Sequence, residues 1–532
     1  MHEIDTADDY VALLDLLDQF VKTTGSAFGL TYAGTGNGTL TAYKGGTTSV
    51  AETFTITATS ATNFTVVGSV SGSIGPATVG TPFSHAKIAF LISAGGTAFV
   101  SGDAFILSTA PKWTSLRRCL GCKVTGSHGT SGPNAAENVI DGKVPTSQPA
   151  DDWRPPVTAA TLEFEFFESE TIAEYAIVPG ALPSSAPKSW TFERWDGAAW
   201  VVLDTRTNET GWTEFQFRAY AVGTPVAATK YRLNITASNG PSDIHVGAVQ
   251  LRRTVGGFDA AFSQVIWAAP GNDGDSQIYV GVHHFRRLDV DYHDWEVCTI
   301  DGFNANVNLY QQAGFHGRHY LPLWNAPIPY WLVVTGRGFR LVAKVDTQYE
   351  IAFAGFTDQF FTPAQLPYPA VVGGSLALGD PRPAWNDSGW RWSNSSNAHR
   401  IPTHSDPRSG SLPKHVSYYQ LAVRRFDGVW EGLRDTIDDT HNQSVQAGEG
   451  VVIPYVGGLS LQDLNVDGSD PLWPVVIVTA APNSMGRLEG VRAITGQGKS
   501  SESPIKRGVV DWLAFQNVTR ADRDDWCAVE MD

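Results

Sequence analysis

Between Tyr10 and Val21 the apolar residues Tyr10, Leu13, Leu14, Leu17, Phe20 and Val21 recur three and four apart, the spacing of one helix face. Thr6 is placed to cap that helix, with Asp9 three residues on, and Gly25 to stop it. No other long helix is predicted. Beyond it the period falls to two. "ETFTITATS", "NFTVVGSVSGS", "AKIAFLISAGG" and "DAFILSTA" alternate apolar with small polar residues, so each predicts a half-buried strand. A sheet built this way has two faces and few charges, and such sheets pack on copies of themselves or on a partner.

From about Leu116 to Arg253 the strands change character. In "TLEFEFFES" Leu162, Phe164 and Phe166 share a face. "SWTFERWDGAAWVVLD" reads as a hairpin turning at Asp196-Gly197, and "KYRLNITAS" and "IHVGAVQLRR" supply two further strands. After Gly257 the chain is aromatic and rich in Pro. "IPYWLVVTGRGFRLVAKVDTQYEIAFAGF" predicts three strands on tight turns, with Gly336 and Gly338 at the first. "PLWPVVIVTAAP", "MGRLEGVRAITG" and "DWLAFQNVTRADRDDWCAVEMD" predict more strands, whereas 380–414 reads as long polar loop.

Composition narrows the function. Charged residues make up 17% of the 532, and Trp (17) far outnumbers Met (3), which suits turn-rich β structure. A net charge of −16 without a dense basic run argues against nucleic acid as a partner. No apolar run reaches the length of a membrane-spanning helix, so no membrane role is expected. The acidic start carries no secretion signal, so synthesis in a cytoplasm is expected. Four cysteines are too few for a disulfide scaffold; Cys119 and Cys122 are expected as reduced, buried thiols at a strand start.

Two resemblances add to this. "NVIDGKVPTSQPADDW", an alternating strand, then "SWTFERWDGAAWVVLD", "KYRLNITAS" and "VGAVQLR" resemble the discoidin (coagulation factor 5/8 type C) domain over about a quarter of the chain. That implies an eight-stranded, galactose-binding-like jelly roll. Asp141 would be the carboxylate of a structural calcium site, and Trp153 and Arg154 would lie in the ligand-binding loops. Separately, "LPLWNAPIPYWLVVTGRGFRLVAKVDTQYEIAFAGF", "PAQLPYPAVVGGS", "RLEGVRAITG" and "VDWLAFQNV" resemble a family of virion structural proteins of tailed bacteriophages, with Leu366 where that family tends to show a second tyrosine. This implies a structural part of the particle that assembles as a ring and requires no cofactor, with copies of itself and other virion proteins as partners. Tail or baseplate is the expected place, with the head–tail neck or collar the alternative. A host-glycan receptor role for the jelly roll, or a polysaccharide depolymerase, are the competing functions.

The expected fold is therefore mainly β. It comprises an N-terminal helix and small β docking domain (1–115), a jelly-roll β-sandwich (116–254) and a β-rich assembly domain with long loops (255–532). Subunit contacts are expected from Tyr330 and Trp331 and from the stiff stretch that holds Tyr368 and Pro369, because rigid aromatics give contact area at low entropic cost. No catalytic elbow, metalloprotease helix, P-loop or defensible carboxylate pair is present, so no enzyme is expected. His283, His284, His293 and Asp294 have metal-binding chemistry but no diagnostic spacing, and read better as polar strand residues.

Overall fold

The structure is a computed structural model. It describes residues 2–23, 25–128, 134–142, 152–271, 278–284, 293–360, 370–377, 421–425, 428–433, 436–437, 450–452, 471–479, 483–494, 498–507, 510–516 and 526–531. The chain is mainly β, as its patterning predicts, and Tyr10–Thr23 is the one α-helix among these residues.

At the centre of the largest unit lies an antiparallel sheet of seven strands. Their spatial order is His2–Ala7, Ile328–Thr335, Gly338–Val345, Gln348–Phe356, Ala370–Gly374, Leu421–Arg424 and Trp430–Leu433. It is buried on both faces. One face (Tyr330, Leu332, Val334, Leu341, Ala352) packs against the helix and a six-stranded sheet that includes Gln264–Ala269 and Trp295–Ile300. The other (Trp331, Val333, Val342, Ile351, Phe353) packs against the strands Trp473–Thr479, Asn483–Ile494, Val510–Gln516 and Trp526–Glu530.

This arrangement corrects two expectations. Tyr330 and Trp331 are consecutive, so they point to opposite faces, and both faces are core. Tyr330 is 1% exposed and its hydroxyl donates to Glu3 at 2.7 Å; Trp331 is 6% exposed and packs on Tyr349 and Phe515. Neither can meet another subunit. Tyr368 and Pro369 lie outside the described residues. Thr6 is not the helix cap either: it sits in the first strand, opposite Pro329. Asp9 caps the helix, its carboxylate accepting the N–H groups of Val11 and Ala12 at 2.8 Å each. The helix is tied into the large unit through Asp18, 1% exposed, which accepts from the Trp267 indole at 2.8 Å and the Ser115 hydroxyl at 3.0 Å.

Residues 26–110 form a separate sandwich. Five strands (Ser26–Ala33, Ala104–Ala110, Glu52–Ala58, Asn63–Gly68, Gly72–Thr78, in spatial order) face three (Thr39–Gly45, Ile88–Ser93, Phe83–Ser84) across a core of Phe54, Phe64, Phe90 and Phe105. Residues 122–252 form a second sandwich with the same division. Five strands (Cys122–Gly126, Ala160–Glu170, Ala228–Ser238, Pro187–Trp195, Trp200–Arg206) face three (Arg218–Ala221, Glu174–Val178, Ala248–Arg252), all antiparallel. This is the eight-stranded jelly-roll architecture the sequence implies. Leu162, Phe164 and Phe166 lie together in its core, and Asp196 makes the hairpin turn by accepting from Ala198 and Ala199 at 2.8 Å.

The jelly roll is joined to the large unit by two chain crossings laid side by side. Thr114–Cys119 pairs in the six-stranded sheet, and three residues later Cys122 opens the jelly-roll sheet. Gly121, at φ +71°, makes the crossing possible, since a Cβ there would lie 2.8 Å from the Ala261 carbonyl. Cys119 and Cys122 are buried free thiols, as expected, and Cys119 donates to the Ala260 carbonyl at 3.0 Å. Arg117, 5% exposed, clasps the joint by donating to the carbonyls of Ala305 (2.8 Å) and Val307 (2.6 Å) and stacking on Phe258.

Candidate functional site

The most developed polar constellation of the jelly roll follows from one alternation. Residues 152–155 run antiparallel to 244–246: Trp153 N–H donates to the Val246 carbonyl at 2.9 Å and Val246 N–H returns to the Trp153 carbonyl at 3.1 Å. Trp153, Ile244 and Val246 point inward and are each 0% exposed. Their neighbours Asp152, Arg154 and His245 therefore point away from the core, to one common place.

There His245 Nδ1 lies 3.7 Å from Asp152 and its Nε2 lies 3.4 Å from Asp243. Arg154 reaches Asp152 at 3.6 Å. The Ser185 hydroxyl donates to Asp243 at 2.6 Å, and the His245 backbone N–H to the Ser185 carbonyl at 2.8 Å. Gly180 makes room, since a Cβ there would sit 1.8 Å from the Asp152 carboxylate. Asp152 and His245 are fully buried, whereas the side chains of Arg154 and Asp243 are 38% and 28% exposed. Burial pushes the His245 imidazole down to about 4; the Arg154 charge pushes the same way, against the pull of Asp243. At neutral pH the ring is uncharged, a fixed polar wedge between two carboxylates. Arg154 and Asp243 are thus the partly exposed members of a group seated on buried Asp152 and His245, and a guanidinium donor with a carboxylate acceptor has the chemistry to bond sugar hydroxyls.

Of the residues singled out from sequence, Arg154 belongs to this site. Trp153 does not reach it. A fully buried indole offers no face to a sugar, and its place in the core among Val124, Ala136 and Leu162 gives it a packing role. Asp141 is elsewhere. It ends the short 3₁₀ turn Ala136–Ile140, and Gly142 beside it packs so closely on the Phe262 ring that a Cβ would lie 2.3 Å from it. That places Asp141 at the joint with the large unit, where its charge helps raise the Tyr310 hydroxyl behind burial and Glu296. Among the described residues no three His, Cys, Asp or Glu side chains are grouped to hold a metal ion. His284, from the histidine group, instead shares a 2.6 Å hydrogen bond with Ser263 inside the protein, and Asp294 is wholly buried. Asp152, Asp243, His245 and Ser185 were not anticipated. The available signal was "DIHV", a histidine between two β-branched residues, which puts it on the opposite side of the chain from both.

No family model matches the chain, and no curated protein matches it. Solved structures similar to part of it include carbohydrate-binding modules. The family 32 module of Streptococcus pneumoniae EndoD is 13% identical, with 26% of this chain and 100% of that one covered, at a TM-score of 0.23. The family 32 module of C. perfringens NanJ, solved with galactose, is 11% identical over 25% of this chain and 96% of that one, TM-score 0.21. A pectin-binding module is 20% identical over 25% of this chain and 91% of that one, TM-score 0.21. The eight-stranded architecture rests on the strand pairings above and not on these likenesses. A virion role rests on the sequence cadence alone.

Proposed function

We propose that the chain is a structural component of a tailed-bacteriophage particle, in the tail or baseplate, that displays its jelly roll as a glycan-binding module. The observation that carries the glycan half is the inside-out alternation at 152–154 and 244–246. It seats a buried Asp152–His245 pair next to the partly exposed Arg154 and Asp243. Buried acid–imidazole pairs are costly to desolvate, and they persist where they hold something at the surface in place. The virion half is supported by the resemblance across "IPYWLVVTGRGFRLVAKV" and its sequels, now seen to be the central sheet of the large unit. Work of this kind is done by buried area and backbone pairing and calls for neither turnover nor a cofactor.

The test is a glycan array probed with the intact chain, followed by calorimetry on the best ligand. Arg154→Ala and Asp243→Asn should each weaken binding about tenfold or more, or about 1.4 kcal/mol, with an unchanged melting temperature for Asp243→Asn. Binding that both variants leave intact would move the site elsewhere, and no binding to any bacterial surface glycan would remove the glycan half.

A further inference from the structure

The five-stranded sheet of the 26–110 sandwich has one face in its own core, and on the other, among the described residues, Thr31, Thr55, Thr65, Val67 and Ile106 are exposed. Along that outer face a row runs straight across four strands: Thr31, Ile106, Thr55 and Val67 are successive cross-strand partners. Thr57 and Thr65 pair in the row beside it. Ile106 is 40% exposed and Val67 43%. The five strands hold a single charged residue, Glu52, and it is buried, accepting from the N–H groups of Val70 (3.2 Å) and Ser71 (2.8 Å). The whole of 26–110 contains two lysines, one glutamate and one aspartate, a net charge of zero, in a protein of net charge −16.

We propose that this face is where two copies of the chain meet, sheet on sheet. The charge distribution selects the occupant. Two molecules of this acidity repel wherever their acidic surfaces approach, and this neutral face lets them approach without that cost. A polysaccharide would find neither an aromatic platform nor a charged clamp here, and a basic partner would find nothing to neutralise. Five strands at about 4.8 Å spacing and about six residues long present roughly 24 by 20 Å, so a pair buries about 1,000 Å², the lower bound for a specific contact. Threonine and β-branched rows meet their own equivalents across a two-fold axis, the self-complementarity such a contact requires. The inference rests on this surface and is independent of the glycan and virion readings.

Sedimentation velocity of the intact chain tests it, from about 1 to about 100 µM. The expected result is reversible dimerisation in that range that strengthens with added salt, because salt screens the net charge while the contact contains no ion pairs. Thr55→Lys and Ile106→Asp, both at exposed positions, should each weaken the dimer about tenfold or more without changing the melting temperature. A monomer throughout the range would overturn the proposal. So would a dimer that both variants leave intact, or one that salt dissolves.

Discussion

The two small sandwiches have the same frame and opposite surfaces. Each sets five strands against three, and each fills the gap with aromatics. The 26–110 sandwich carries four charged residues, whereas 122–252 carries fifteen acidic and ten basic ones. In the latter they are organised: Arg232 pairs with Glu193, Arg252 with Glu174, Arg218 with Glu209. The core sets the fold, and the outward positions of the same alternation are free to be charged or neutral. A neutral outer face suits contact with a like molecule, and a charged one stays in solvent with its loop end presented.

The comparison breaks most readily at Trp153. If it is a core residue of the jelly roll, Trp153→Ala should destabilise that sandwich by about 3–5 kcal/mol. A thermal melt of the intact chain followed by tryptophan fluorescence should show it, and calorimetry should find the transition of the tryptophan-free 26–110 sandwich unmoved. A melt unchanged from wild type would put the indole outside the core.

Proton linkage should separate the sandwiches next. The folded-state value of His245, about 4, lies below the 6.5 of a free imidazole. Its contribution is therefore complete above about pH 6.5 and is lost as the pH falls through about 4. Denaturation at a series of pH values should show the jelly roll weakening over this window, and His245→Gln should flatten the slope. In the 26–110 sandwich Asp103 is held down at about 2 by the N–H groups of Val100, Thr35 and Gly36, so its contribution is complete above about pH 3.8 and is lost only as the pH falls through about 2. Equal acid sensitivity in both would contradict the assignment.

The joint should respond with the opposite sign. Burial raises the Asp259 carboxyl to about 7, although it accepts the N–H groups of Leu251 and Ala261. Its contribution is complete below about pH 3.8 and is lost as the pH rises through about 7. Asp259→Asn should therefore stabilise the chain at about pH 8 and do little at about pH 5, read as the shift in denaturation midpoint. Salt should have the smallest effect. Exposed pairs such as Lys230–Glu165, at 2.9 Å, are worth about 0–1 kcal/mol, so molar salt should lower the jelly-roll midpoint slightly and leave the neutral sandwich where it is.

Strand identity was legible wherever one face is wet. "TLEFEFFES" and "ETFTITATS" declare their inner face by alternation, and the structure places both accordingly. It was less legible in the doubly buried central sheet, where "YWLVV" has no wet face to mark direction, and Tyr330 and Trp331 looked free to meet a partner. The unbroken apolar run was itself the sign of burial on both sides. The site was harder still. "DDWRPP" has no apolar partners to set its phase, so whether Trp153 or its neighbours faced the ligand was decided only by the pairing with Val246, nearly a hundred residues away. The first strand was missed because "HEIDTA" is polar; it is held by backbone pairing to Ile328–Thr335.

The central claim, that this is a particle component displaying a jelly roll, is tested most directly by immunogold electron microscopy of purified particles with antibody against residues 116–254. The account predicts gold on intact particles, at the tail tip. Gold at the neck would keep the structural role and remove the host-surface role. Absence of gold, together with absence of the protein from denatured purified particles, would contradict the account.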